Sequence, residues 1–183
     1  MGDKGFSLVE LIIVIAIMAI LGSALVPTFI KYIEKANIAH DTDSCKTIEN
    51  CTYAVLAEDK YHDIVANGYG IGPNGSITNQ LEYFIHPEDE SGYYGTCNVK
   101  SVEYAHTMGE FLDELCDSLV GLEPPKQSGK KSYLVTINFE AVSETSFDGS
   151  EKITYQIGDV TVKTSSMGDE EATQYFYDKG YIY

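Results

Sequence analysis

The sequence predicts an α+β chain, with a long N-terminal helix packed on an antiparallel sheet of three or four strands. Three observations predict it. Leu11 to Ile30 contains no charged residue, and a helical stripe continues beyond it. Met108, Phe111, Leu112, Leu115, Cys116 and Leu119 recur at helical spacing. From Lys131 onward the apolar period drops to two.

The first element is the longest. At ~1.5 Å per residue, the uncharged run spans roughly 30 Å as a helix, enough to cross a bilayer's hydrocarbon core. Beyond Pro27, the residues Ile38, Asp41, Cys45, Ile48, Thr52 and Val55 step by three and four, which reads as one mixed buried face. Asn67-Gly68 is a natural helix stop. One helix from Phe6 to Ala66 is therefore expected, about 90 Å long.

Gly68 to Gly75 formally contains G-x-G-x-x-G, but a helix precedes it and Pro73 interrupts it, so it reads as a linker. Ser76 to Ile85 is expected as a short helix, with Ile77, Leu81, Phe84 and Ile85 on one side. His86-Pro87-Glu88-Asp89-Glu90 is an acidic turn without the twelve-residue pattern of a dedicated calcium loop. Thr107-Met108-Gly109-Glu110 reads as a capping box that opens the second amphipathic helix, which Gly121 and Pro124-Pro125 stop.

In the last third, Tyr133, Val135, Ile137, Phe139 and Ala141 alternate with polar neighbours. Ile153, Tyr155 and Ile157 follow, then Val160 and Val162. Asp148-Gly149 is one turn signal and Gly158-Asp159 a second. Tyr175-Phe176-Tyr177 and Tyr181-Ile182-Tyr183 are read as a last strand.

Composition narrows the function classes. Residues 1–30 carry only Asp3, Lys4 and Glu10, so nearly all of the net charge of −16 lies beyond them. All twelve basic residues are lysine. Such acidity repels nucleic-acid phosphates and suits a solvated outer face, so no nucleic-acid partner is expected. The four histidines adjoin no nucleophile motif, and no H-E-x-x-H occurs. Neither an enzyme nor a cofactor site is expected.

Cys45, Cys51, Cys97 and Cys116 fit an exported domain with up to two disulfides. Cys45 and Cys51 lie six apart on the expected helix, roughly 9 Å along its axis, too far to bridge. Each therefore pairs, if at all, with Cys97 or Cys116. No C-x-x-C spacing points to a metal.

One residue stands out. Glu10 is a lone carboxylate between Val9 and Leu11 at the mouth of the apolar run, and an ionisable group there is by default functional. Gly5-Phe6-Ser7-Leu8-Val9-Glu10, the apolar run and Pro27 together resemble the class III signal of the type IV pilins and type II secretion pseudopilins. The resemblance covers about thirty of the 183 residues. It implies a leader at residues 1–5, cut after Gly5 by a membrane prepilin peptidase that then methylates the Phe6 amine. It implies a transmembrane and filament-core helix at 6–30, an amphipathic continuation at 31–67, an αβ-loop region with short helices at 68–130, and a sheet with C-terminal segment at 131–183.

The resemblance also implies partners. The chain sits as a single-pass protein in the cytoplasmic membrane, is handled by an assembly platform and ATPase, and joins a homopolymer in an extracellular pilus. Glu10 pairs with a Phe6 amine, its own or a neighbour's. Gly22 and Pro27 mark a helix kink, although the glycine that many relatives carry a turn or more earlier is replaced here by Ala19 or its neighbours. The disulfide that many pilins hold near the C-terminus has no counterpart, since no cysteine follows Cys116. The same logic fits a major pilin, a minor pilin or a pseudopilin. Two plainer readings compete. One is a secretory signal cut near Gly22-Ser23-Ala24, which lacks the positive n-region. The other is a membrane-anchored binding module that never polymerises.

Overall fold

The computed structural model describes residues 7–61, 65, 80–87, 102–147 and 149–178. Helix α1 spans Leu8–Leu56 and is followed by a 3₁₀ turn at Asp59–Tyr61. Strand β1 is Gln80–Ile85, helix α2 is Val102–Ser118, β2 is Ser132–Thr145, β3 is Glu151–Ser165 and α3 is Asp169–Asp178. The strands form one antiparallel sheet in the order β1-β2-β3. The expected α+β class holds, with three strands among the described residues. The chain divides into two compact units, Met1–Ala39 and His40–Tyr183.

In the second unit, the core lies between one sheet face and two helices. Ile48, Val55 and Leu56 of α1 and Phe111, Leu115 and Leu119 at the end of α2 meet Leu81, Tyr83 and Ile85 of β1 and Tyr133, Val135, Ile137 and Phe139 of β2. Phe111 takes Tyr61 and Tyr83 edge-on, at centroid distances of 5.6 and 6.0 Å. Thr52 lies on the same helix face because its hydroxyl is satisfied, donating to the Ile48 carbonyl at 2.8 Å and bonding the Tyr83 hydroxyl at 2.9 Å. Ile38, expected on this face, is half exposed. The helix ends at Leu56, earlier than expected. Glu58 N–H bonds back to the Val55 carbonyl and Tyr61 N–H to the Glu58 carbonyl, a tighter turn that brings Tyr61 into the core. Asn67-Gly68 and the glycine-rich linker lie outside the described residues.

Four expectations are corrected. Residues 80–85 form a strand, not the end of a helix. Leu81, Tyr83 and Ile85 face the main core, whereas Phe84 packs on the other face against Ala172 and Tyr175. A strand buried on both faces loses its alternation and so imitates a helical stripe. Second, α2 starts at Val102, so Thr107 is interior to it; residues 102–106 contain neither glycine nor proline to stop the helix from extending.

Third, Gly158-Asp159 is a bulge, not a turn. Asn138 pairs with Asp159 but Phe139 with Ile157, leaving Gly158 as the extra residue. The core-facing positions therefore shift from odd (Tyr155, Ile157) to even (Val160, Val162) within one continuous strand, while Ile153 nearer the hairpin is exposed. Val160 N–H, beside the bulge, donates to the Tyr53 hydroxyl of α1 at 3.1 Å. Fourth, Tyr175-Phe176-Tyr177, expected in a last strand, lies in helix α3, while Tyr181-Ile182-Tyr183 lies outside the described residues. Glu171 accepts the Gly168 N–H at 2.7 Å, acids fill the first turn, and Ala172 is fully buried against Phe84.

Two stop signals are where the sequence puts them. Gly121 (φ 88°) closes the turn after α2, and Gly149 (φ 80°) closes the β2–β3 hairpin by donating to the Ser146 carbonyl at 2.9 Å.

Candidate assembly segment

The first unit offers no core of its own. Every residue from Ser7 to Ile20 is exposed, including Leu8 at 73%, Met18 at 67% and Ile20 at 69%. Part of α1 is long and apolar enough to cross a membrane, and none of that stretch is buried within the protein. Apolar surface on this scale marks a membrane or protein contact. It continues past the uncharged run through Tyr32 and Ile33.

Glu10 lies in the first turn of α1. Its Oε2 accepts the Ser7 N–H at 2.9 Å, and the Ser7 hydroxyl accepts the Val9 N–H at 3.4 Å. Leu11 N–H then bonds the Ser7 carbonyl at 3.2 Å, closing the first helical turn. Ser7-x-x-Glu10 is thus a reciprocal cap, a motif legible in the sequence but missed there, whereas the one read at Thr107 does not open its helix. Gly22 and Pro27 lie inside α1, and beyond the neighbouring helix backbone nothing lies within 4 Å of where a Gly22 side chain would start. The Ser23 hydroxyl donates to the Ile20 carbonyl at 2.7 Å. Gly5 and Phe6 lie outside the described residues.

The remaining predicted site residues are elsewhere. Cys45 and Cys51 lie on α1 and Cys116 on α2, and no disulfide joins these three; Cys97 lies outside the described residues. The candidate pairings of Cys45 or Cys51 with Cys116 are therefore not formed. Burial, reinforced by the Asp41 and Glu49 charges, pushes the Cys45 thiol up to about 11, and burial also raises Cys51. Thiols held protonated are poor nucleophiles for disulfide exchange. Among the described residues, no cluster of three His, Cys, Asp or Glu side chains is arranged to hold a metal.

A second polar feature, unforeseen in the sequence, sits where the second unit begins. Asp41 is 1% exposed, and its two carboxylate oxygens accept the backbone N–H groups of Lys126 at 2.7 Å and Gln127 at 3.0 Å. Burial opposes its charge, but these bonds and His40 outweigh it and hold the carboxyl below its ordinary range. His40 also faces Glu123 at 3.2 Å. Asp41 thus clamps the 123–127 segment to α1. The helical stripe placed Asp41 on the buried face, but its partners, 85 and 86 residues away, are not written in any local pattern.

Residues 1–26 match the family model of the prokaryotic N-terminal methylation motif. The chain is similar to type IV pilin proteins. Among curated proteins, it is 36% identical over 73 residues to the prepilin peptidase-dependent protein A of Clostridium perfringens, covering 40% of this chain and 52% of that one. It is 30% identical over 100 residues to the type IV major pilin protein PilA of Myxococcus xanthus, covering 54% of this chain and 42% of that one. The chain thus spans about half the length of the curated relatives it matches. No solved structure matches it significantly.

Proposed function

We propose that the chain is a structural subunit of an extracellular type IV pilus. Residues 1–5 are the leader, 6–30 the membrane and filament-core helix, 31–67 its amphipathic continuation, 68–130 the αβ-loop region and 131–183 the displayed sheet and C-terminal segment. A prepilin peptidase cuts after Gly5 and methylates the Phe6 amine. The subunit waits in the cytoplasmic membrane until an assembly platform and its ATPase draw it into the filament. Gly22 and Pro27 weaken the helix there, one by low propensity and the other by removing a backbone donor. The chain is a substrate of enzymes, not a catalyst.

The observation that carries this reading is the exposed apolar stretch of α1 with one carboxylate at its mouth. In a water-poor core, that carboxylate is stable only beside a cation, and cutting after Gly5 creates one on Phe6. Breaking such a pair strands a buried charge, at about 3–5 kcal/mol.

Two measurements test it. The amino-terminal mass of purified protein is expected to show methylated Phe6 as the first residue; an intact Met1, or Leu25 first, would overturn the reading. Glu10→Ala is expected to be cut normally yet yield no filaments by electron microscopy. Normal filaments from that variant would refute the pairing. Filament length on the cell surface separates a pilus from a short pseudopilus.

A further inference from the structure

We propose that Ser7 is a positioning residue for assembly: as the helix cap, it holds the Glu10 carboxylate at the cut end of α1, with one oxygen left for an ammonium group. This rests on the pilus reading above, in which that ammonium is a Phe6 amine.

The geometry is reciprocal. Ser7 precedes the helix, which begins at Leu8. Its hydroxyl takes the Val9 N–H, which sets its backbone so that its own N–H turns back over the first turn to Glu10 Oε2. Glu10 Oε1 has no hydrogen-bond partner among the described residues. The Ser7 nitrogen lies three bonds from the α-nitrogen of Phe6 along the chain. Bond to that N–H, and the carboxylate is already beside the place where processing creates the positive charge.

The cap does two further things. It supplies a donor to a carboxylate that would otherwise be costly in lipid before assembly. It also removes rotamer freedom from a long exposed side chain, so less is lost when the amine arrives. An ammonium brings three donors and no acceptor, matching the oxygen that remains.

The test compares full-length Ser7→Ala and Ser7→Thr with wild type in cells that make the filament. Ser7→Ala loses only the hydroxyl, so cutting and methylation at Phe6 and the membrane level of the protein are expected unchanged. Filament yield is expected to fall about fivefold, the usual worth of such a cap. Ser7→Thr keeps the hydroxyl and restores the yield. A structural role alone would lower membrane levels.

A second readout does not depend on assembly. In detergent-solubilised full chain, Ser7 amide exchange is expected to quicken several-fold in Glu10→Ala. Wild-type yield from Ser7→Ala, or an unchanged Ser7 amide, overturns the role of Ser7 while leaving the pilus reading intact. A wild-type chain left uncut after Gly5 overturns the pilus reading, and this proposal with it.

Discussion

Asp41 and Glu10 carry the same functional group under opposite conditions. Glu10 is exposed on an apolar helix and holds one backbone N–H, whereas Asp41 is buried and holds two from a distant segment. Asp41→Ala leaves the Lys126 and Gln127 N–H groups without their acceptor, and should cost about 2–3 kcal/mol in urea unfolding. Because the folded state holds the Asp41 carboxyl below its unfolded value of about 3.9, its charge stabilises the fold above that pH. That contribution disappears as the pH falls through the lower, folded value. The stability gap between wild type and Asp41→Asn should therefore be full at pH 6 and narrow below pH 3. A gap that widened in acid would contradict the assignment. Tyr61 and Tyr133, pushed up to about 12 chiefly by burial, stay protonated across this range.

At the scale of elements, the β3 bulge determines which side chains the sheet buries. Deleting Gly158 removes the extra residue, so either Tyr155 and Ile157 or Val160 and Val162 must leave the core face. Loss of cooperative unfolding, or destabilisation by several kcal/mol, is expected on thermal melting. Gly158→Ala is milder: the new Cβ falls 2.6 Å from Glu140 Cγ, and an exposed glutamate side chain can shift, so about 1 kcal/mol is expected. A deletion as stable as wild type would show that the bulge carries no register information. Legibility follows the same physics. The α2 stripe, the hairpin glycine and the period-two runs were readable because each is local. Strand β1 was misread because burial on both faces erases alternation, and α3 because its tyrosines suit either state until Ala172 meets Phe84.

For the whole molecule, the division into Met1–Ala39 and His40–Tyr183 has a direct consequence. The first unit is an exposed apolar helix, and the second holds the buried core. A fragment of residues 40–183 is expected to be monodisperse in water and to melt cooperatively, while the full chain needs detergent or a filament. A fragment that aggregates or lacks a melting transition would show that the second unit depends on the first. By itself, the sequence determined the α+β class, the membrane-length helix, the stranded Glu10 and the signal before it. Each of these is written in contiguous residues, where charge, apolarity and spacing act over one or two turns. Only the tertiary structure decided that Ser7 caps Glu10, that Asp41 holds residues 126 and 127, that Gly158 is a bulge and that 169–178 is a helix. Three of those four depend on partners far along the chain, and the cost of leaving polar groups or apolar faces unmet appears only once those partners are in place.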